Sequence, residues 1–220
     1  MKTANATVIE LKEVVKDIKG KRIIDHVTLH LESGKITGLK GVNGSGKTML
    51  MRLISGLITP TSGSITINGK QLGKDITFPE SMGILIENPA FLDTYSGFDN
   101  LKMLASIQNR IGEEEIRSIL AKVGLDPQDK KKYRKYSLGM KQRLGIAAAV
   151  MENPDIIILD EPTNALDSDG VEMLKEILHE HRERGALLLI SCHDLATLKE
   201  LSDEMYLMES GALRPYQEEE

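Results

Sequence analysis

The sequence predicts an α/β fold: a mostly parallel sheet, with an N-terminal antiparallel β-subdomain and an inserted α-helical subdomain. Three observations carry that expectation. A glycine-rich loop, Gly41-Val42-Asn43-Gly44-Ser45-Gly46-Lys47-Thr48, sits between a strand-like and a helix-like stretch. Short continuous apolar runs follow at 83–86, 156–159 and 187–190, each the length of a strand buried in a sheet. Between the first and second runs, residues 88–136 show helical periodicity. The chain of 220 residues is long enough for one large domain, or for a core with a subdomain.

In chain order, residues 8–12 and 26–31 alternate apolar and polar side chains, as half-buried antiparallel strands do, around a turn at Lys19-Gly20-Lys21. Residues 35–40 read as a short strand leading into the glycine loop. Met49, Leu50, Leu53, Ile54 and Leu57 then recur at helical spacing. Thr59-Pro60-Thr61-Ser62-Gly63 breaks that helix, and residues 64–69 alternate into a turn as a strand. Residues 83–86 read as a strand buried on both faces, ending at Glu87-Asn88-Pro89.

Residues 97–109 and 113–123 read as two helices, the second with Glu113, Glu114 and Glu115 in its first turn and Gly124 after its end. The basic run 130–135 reads as a solvated connection rather than an anion site. Met140, Leu144, Ala147, Ala148 and Met151 make a further helix, stopped at Asn153-Pro154. Asp167 caps a helix carrying Val171, Leu174, Ile177 and Leu178, which ends at Gly185. After Ser191-Cys192-His193, a short helix from Asp194 and a strand at 204–208 complete the core. The expected division is a single domain over 1–220, with core 1–87 and 137–213, helical subdomain 88–136, and an acidic tail 214–220 that frays from Pro215 onward.

The glycine loop fits G-x-x-x-x-G-K-[ST] in its required context of strand, loop and helix, which marks a phosphate-binding loop (P-loop) NTPase core. Gly41, Gly44 and Gly46 let backbone N–H groups turn inward around an anion, with Asn43 and Ser45 in the same binding loop, and the helix N-terminus adds its positive dipole end. Lys47 is placed to reach the β- and γ-phosphates, and the Thr48 hydroxyl to hold Mg²⁺. The implied ligand is a nucleoside triphosphate with its metal. The second chemical element is Asp160-Glu161, at the end of the apolar strand 156–159. An acid so placed can hold Mg²⁺ through water, and Glu161 can accept a proton from an attacking water.

Composition sets limits. A formal charge of −5 and 4% aromatic residues without Trp disfavour a nucleic-acid partner. The lone Cys192 cannot close an internal disulfide, which suits a reducing cytosol, and it reads as a small buried residue. No apolar stretch approaches the ~20 residues of a membrane span. The N-terminus lacks the apolar segment of a signal peptide. Any membrane role therefore needs another subunit. The ten methionines read as core filler.

With these residues assembled, the chain resembles the nucleotide-binding subunit of an ATP-binding cassette (ABC) transporter from about residue 7 to 213. Six motifs follow the family's order: the P-loop, Glu87 at the glutamine-loop position, Tyr136-Ser137-Leu138-Gly139-Met140 at the signature, Asp160-Glu161, Asn164-Ala165-Leu166-Asp167 at the D-loop, and His193 at the switch histidine. The resemblance implies ATP and Mg²⁺ as ligands. It implies Glu161 as catalytic base, His193 and Lys47 as further catalytic groups, and Thr48, Glu87 and Asp160 at the metal. Ser137, Gly139 and Asp167 would meet the ATP of a second copy in a nucleotide-sandwiched homodimer. It further implies separate transmembrane permease subunits and a cytoplasmic location, peripheral on the inner face of the membrane.

Two departures are specific. Glu87 stands where most relatives carry Gln, and the signature reads Ser-Leu-Gly-Met-Lys-Gln-Arg. Both resemble the ATPases of bacitracin and lantibiotic self-protection exporters, which implies export of a peptide antibiotic or another small amphipathic molecule. No Tyr or Phe lies between residues 1 and 77, so the family's adenine-stacking ring has no counterpart near Ile18. Two other classes share these motifs. One is a soluble ABC ATPase of an assembly pathway, such as iron–sulfur cluster building. The other is a DNA-repair or translation ABC protein, which would carry long coiled coils or two cassettes.

Overall fold

The computed structural model describes residues 6–87 and 89–218. Alternation makes the first sheet. Strand β1 (Val8–Ile18) pairs antiparallel with β2 (Lys21–Glu32) and with β4 (Ser62–Ile67), and the two-residue β5 (Lys70–Gln71) completes the order β2-β1-β4-β5. β1 runs six residues past the expected end at Lys12. Glu13, at φ 49°, lies within a bulge after which Val14 and Val15 are buried side by side. The bulge breaks the two-residue periodicity but not the hydrogen bonding, so the alternation stops where the strand does not.

The second sheet holds β3 (Lys35–Lys40), β6 (Met82–Leu85), β7 (Ile156–Leu159), β8 (Leu187–Ser191), β9 (Glu204–Glu209) and β10 (Ala212–Pro215), in the order β10-β9-β3-β8-β7-β6. All its neighbours are parallel except β9 and β10. Central strands bury both faces. Ile157, Leu159, Leu188 and Ile190 enter one apolar cluster, while Ile156, Ile158, Leu187 and Leu189 enter the other. The second cluster joins α1 (Lys47–Ile54) to the antiparallel sheet through Leu50, Met51, Leu53, Ile9, Leu11 and Leu29.

The first cluster carries the helices on the opposite face. These are α4 (Leu138–Val150), α5 (Ser168–Glu183) and α6 (Leu195–Leu201), with α2 (Gly97–Gln108) and α3 (Glu113–Lys122) packed outward through Leu101, Ile116 and Leu120. Ser96 starts α2 with a capping box, its Oγ accepting from the Asp99 N–H at 3.1 Å.

Three expectations need correction. β6 is not buried on both faces: it is an edge strand paired only with β7, and Ile84 is 38% exposed. A short apolar run has the same sequence pattern at an edge as in the middle of a sheet. The tail is not frayed from Pro215 onward. β10 extends to Pro215, the Tyr216 N–H donates to Met205 O at 2.9 Å, Lys40 lies over the Tyr216 ring, and Lys199 pairs with Glu218. Within the basic run the lysines are exposed as expected, but Tyr133 is buried and donates to Pro89 O at 2.5 Å. Residue 88, the expected start of the helical insertion, lies outside the described residues, as do residues 219–220 of the tail.

Candidate nucleotide site

The glycine loop leaves the carboxyl end of β3, where ligands of parallel α/β sheets gather. Its shape depends on residues without side chains. A Cβ on Gly41 would lie 2.5 Å from Met208 O and 2.6 Å from Ser45 Oγ. Gly46, at φ 116°, caps α1 with no side-chain bond, so among the described residues no cap side chain takes the first N–H groups of that helix. Gly44 also lies at positive φ, 79°. The loop is fixed by the Gly211 N–H donating to Ser45 O at 3.0 Å. Lys47 is 6% exposed, and its Nζ donates to Gly41 O at 2.6 Å.

β7 and β8 bring the acids alongside. Thr48 Oγ1 donates to Asp160 Oδ2 at 2.5 Å, and Ser191 Oγ donates to Asp160 Oδ1 at 2.6 Å. The Glu161 N–H donates to Ser191 Oγ at 2.9 Å, and Gln142 Nε2 of α4 donates to Glu161 O at 3.2 Å and Pro162 O at 3.0 Å. Between these bonds Glu161 takes φ 52°, uncommon for a side-chain-bearing residue. Its side chain is 14% exposed, and neither carboxylate oxygen has a hydrogen-bond partner among the described residues. Lys47 Nζ and His193 Nε2 stand 3.8 and 3.5 Å from Oε1. Burial pushes the Glu161 pKa above the usual carboxylate range, with His193 and Lys47 pulling the other way.

These residues fit a nucleotide with Mg²⁺. The metal's donors would be one hydroxyl and one carboxylate, a set that leaves the rest of an octahedral shell to phosphate and water. Ser45 Oγ and both Glu161 oxygens are buried polar atoms with no hydrogen-bond partner among the described residues. A buried carboxylate with a raised pKa, beside an anion loop, is placed to take a proton from water.

Of the expected site residues, Lys47, Thr48, Asp160, Glu161 and His193 converge at one end of the sheet, with Gly41, Asn43, Gly44, Ser45 and Gly46 around them. Others bond elsewhere. Glu87 Oε2 is 2.7 Å from Arg52 Nη2, and its side chain is 61% exposed. Arg52 is one helical turn beyond Thr48 on α1, so this ion pair holds Glu87 alongside the first turns of that helix. Ser137 caps α4, its Oγ accepting from the Met140 N–H at 3.2 Å, with Leu138 70% exposed next to it. Gly139 packs near Ala165 O. Asp167 caps α5 through the Gly170 N–H and accepts from Arg143 Nη2, both at 2.9 Å. The Gly170 bond foremost holds its carboxyl below the usual range. Sequence reasoning gave no role to Ser191, Gln142 or Arg52. A serine closing an apolar strand is a signal for the first, but only once β8 is known to lie against β7.

The family profile described as ABC transporter matches residues 24–164, from β2 through the P-loop to the residues just after Glu161. The uncharacterized ABC transporter ATP-binding protein YybJ of Bacillus subtilis (strain 168) is 47% identical over 205 residues, 93% of this chain and 94% of that protein. The bacitracin transport ATP-binding protein BcrA of Enterococcus faecalis is 36% identical, covering 94% of this chain and 68% of that one. The lantibiotic transport ATP-binding protein SrtF of Streptococcus pyogenes is 34% identical, covering 93% and 88%. In fold, the chain superposes on a dimeric ATP-binding cassette in a post-hydrolysis state bound to ADP and Pi with a TM-score of 0.85 at 21% identity, covering 96% and 99%. The chain belongs to the ATP-binding proteins of the ABC transporter family and is an ATPase of that family.

Proposed function

We propose that this ATPase powers a separate membrane permease that exports a peptide antibiotic or another small amphipathic molecule, working as a homodimer on the inner face of the cell membrane. The hydrolytic part of this reading rests on one observation: the buried Glu161 carboxylate follows the Thr48-bonded Asp160 and stands within 3.8 Å of Lys47 and 3.5 Å of His193. When bound, Mg²⁺ supplies charge neutralisation for the transferred phosphoryl group. Lys47 would bind the phosphates, Thr48 and Asp160 would hold the metal, and Glu87, if released from Arg52, would add a carboxylate to them. Glu161 takes the proton of the attacking water, and His193 fixes the direction of that carboxylate. Ser137, Gly139 and Asp167, remote from their own P-loop, serve the ATP of a second copy.

The transport part rests on the likeness to bacitracin and lantibiotic transport ATP-binding proteins. Among the described residues no helix is long and apolar enough to cross a membrane, so the substrate path belongs to another protein. The test is recovery of the tagged chain from detergent-solubilised membranes, followed by reconstitution of the complex in vesicles. The expected result is a co-purified protein with several apolar spans, and ATP hydrolysis stimulated by bacitracin or a lantibiotic. Recovery from the soluble fraction with no such partner would favour an assembly-pathway ATPase.

A further inference from the structure

Ser191 closes β8 with none of its surface exposed, and its hydroxyl uses its capacity inside the site. The one hydrogen goes to Asp160 Oδ1 at 2.6 Å, and a lone pair accepts the Glu161 N–H at 2.9 Å. Because Oδ1 is taken, the other oxygen of Asp160 is the one turned to Thr48, at 2.5 Å. We propose that Ser191 is a positioning residue for ATP hydrolysis, a single hydroxyl that aims the metal-binding carboxylate of Asp160 and fixes the backbone turn that points Glu161. The proposal rests on the reading above that Thr48 and Asp160 hold Mg²⁺.

The geometry gives this hydroxyl a task no neighbour shares. Glu161 adopts φ 52°, a region that persists in a non-glycine residue only where its surroundings hold it. Ser191 grips its N–H from β8 and Gln142 grips its C=O from α4. Gln142 bonds Glu161 and Pro162, whereas Ser191 bonds both Asp160 and Glu161. Ser191 is also two residues before His193, so the hydroxyl ties the strand carrying His193 to the strand carrying both acids. Removing it leaves a buried carboxylate oxygen and a buried N–H unpaired, and frees Asp160 to turn away from Thr48.

The test uses the purified full chain and a fluorescent ATP analogue, titrated in EDTA and at increasing free Mg²⁺, with phosphate release and thermal melting in parallel. Groups that orient metal ligands typically change metal affinity or activity by about 10–100-fold when removed. Ser191→Ala should bind the analogue in EDTA about as wild type does. It should need about tenfold more Mg²⁺ for half-maximal tightening and hydrolyse ATP about 10–100-fold more slowly. Ser191→Cys, nearly the same shape with a weaker donor, should fall between the two, and it carries the test if Ser191→Ala does not fold. Gln142→Ala should slow hydrolysis with the Mg²⁺ dependence of binding unchanged. Folded Ser191 variants with wild-type Mg²⁺ dependence would overturn the proposal. So would a Gln142→Ala shift equal to that of Ser191→Ala, since a general loosening of the Glu161 loop would then explain both. A wild type whose analogue binding ignores Mg²⁺ would overturn the metal reading first, and the proposal with it.

Discussion

Replacing Glu161 by Gln should slow hydrolysis and stabilise the nucleotide-free fold in one step. The carboxylate is 14% exposed, with no hydrogen bond to either oxygen among the described residues. Burial raises its pKa even though Lys47 and His193 stand 3.8 and 3.5 Å away. The folded state therefore holds a proton on Glu161 more readily than the unfolded state does. Its contribution is most favourable below the unfolded carboxylate pKa and is lost as pH rises through the folded value, so the buried charge is a net cost to the fold. Gln has the same shape without the charge. Relieving such a site gains about 1 kcal/mol, which in a chain of this size is a Tm rise of about 2–4 °C. Losing a general base lowers kcat by about 10²–10⁴, a barrier increase of about 3–5 kcal/mol. Calorimetry at pH 7 without nucleotide reads the first effect and phosphate release from saturating Mg-ATP the second. Light scattering of the variant with Mg-ATP should also show a trapped dimer. A variant that melts below wild type would refute the electrostatic argument, and one that hydrolyses within tenfold of wild type would refute the assignment of Glu161 as base.

Adenine should be held loosely, because Ile18 at the end of β1 offers packing without a π face. ATP should be preferred to GTP by less than about tenfold, and Ile18→Tyr should tighten ATP by part of the ~1–3 kcal/mol of base stacking. Calorimetric titration with both nucleotides checks it, and a strong ATP preference in wild type would point to another residue. For Glu87, the half-maximal Mg²⁺ for ATPase activity should rise in Glu87→Gln and further in Glu87→Ala, while Arg52→Ala, which frees the carboxylate, should lower it. Superposed curves would remove Glu87 from the metal. His181 of α5 is 5% exposed and its Nδ1 lies 3.3 Å from Arg184 Nη2; burial first, then Arg184 and Lys122, lower its pKa to about 4. Between pH ~6.5 and about 4 the unfolded chain binds a proton there that the folded chain refuses. Stability should thus drop as pH is lowered through that window, by about 3 kcal/mol in all. Urea melts at pH 7.5 and 5 should show a smaller loss in His181→Gln.

What the sequence made legible was local. The P-loop and the Ile156-Ile157-Ile158-Leu159-Asp160-Glu161 strand each carry their chemistry in consecutive residues, so their place at strand ends follows from pattern and motif alone. Asp167 as a helix cap was equally readable, since a cap bonds three residues ahead. The extension of β1 past Lys12 was not, because the bulge at Glu13 puts Val14 and Val15 inward together and erases the alternation. Nor was the edge position of β6, which depends on what fails to pair with it. The bonds that finish the site were the least legible. Ser191 to Asp160 spans 31 residues and Gln142 to Glu161 spans 19, and each exists only because the sheet order sets β8 and α4 against β7. The Arg52–Glu87 pair is a choice among rotamers of two long side chains, which no spacing encodes.

On the proposed reading, Thr48 and Asp160 together would hold the metal of the hydrolysed nucleotide. Phosphate release from saturating ATP, measured across free Mg²⁺ for wild type and Asp160→Asn, tests it most directly. The substitution keeps the shape and one oxygen, which can accept from only one of Ser191 and Thr48, and it removes the charge that a hard cation requires. The account predicts Mg²⁺-dependent hydrolysis by wild type, with the Asp160→Asn curve displaced to at least about tenfold higher Mg²⁺. Coincident curves, or hydrolysis by wild type that persists in EDTA, would contradict it.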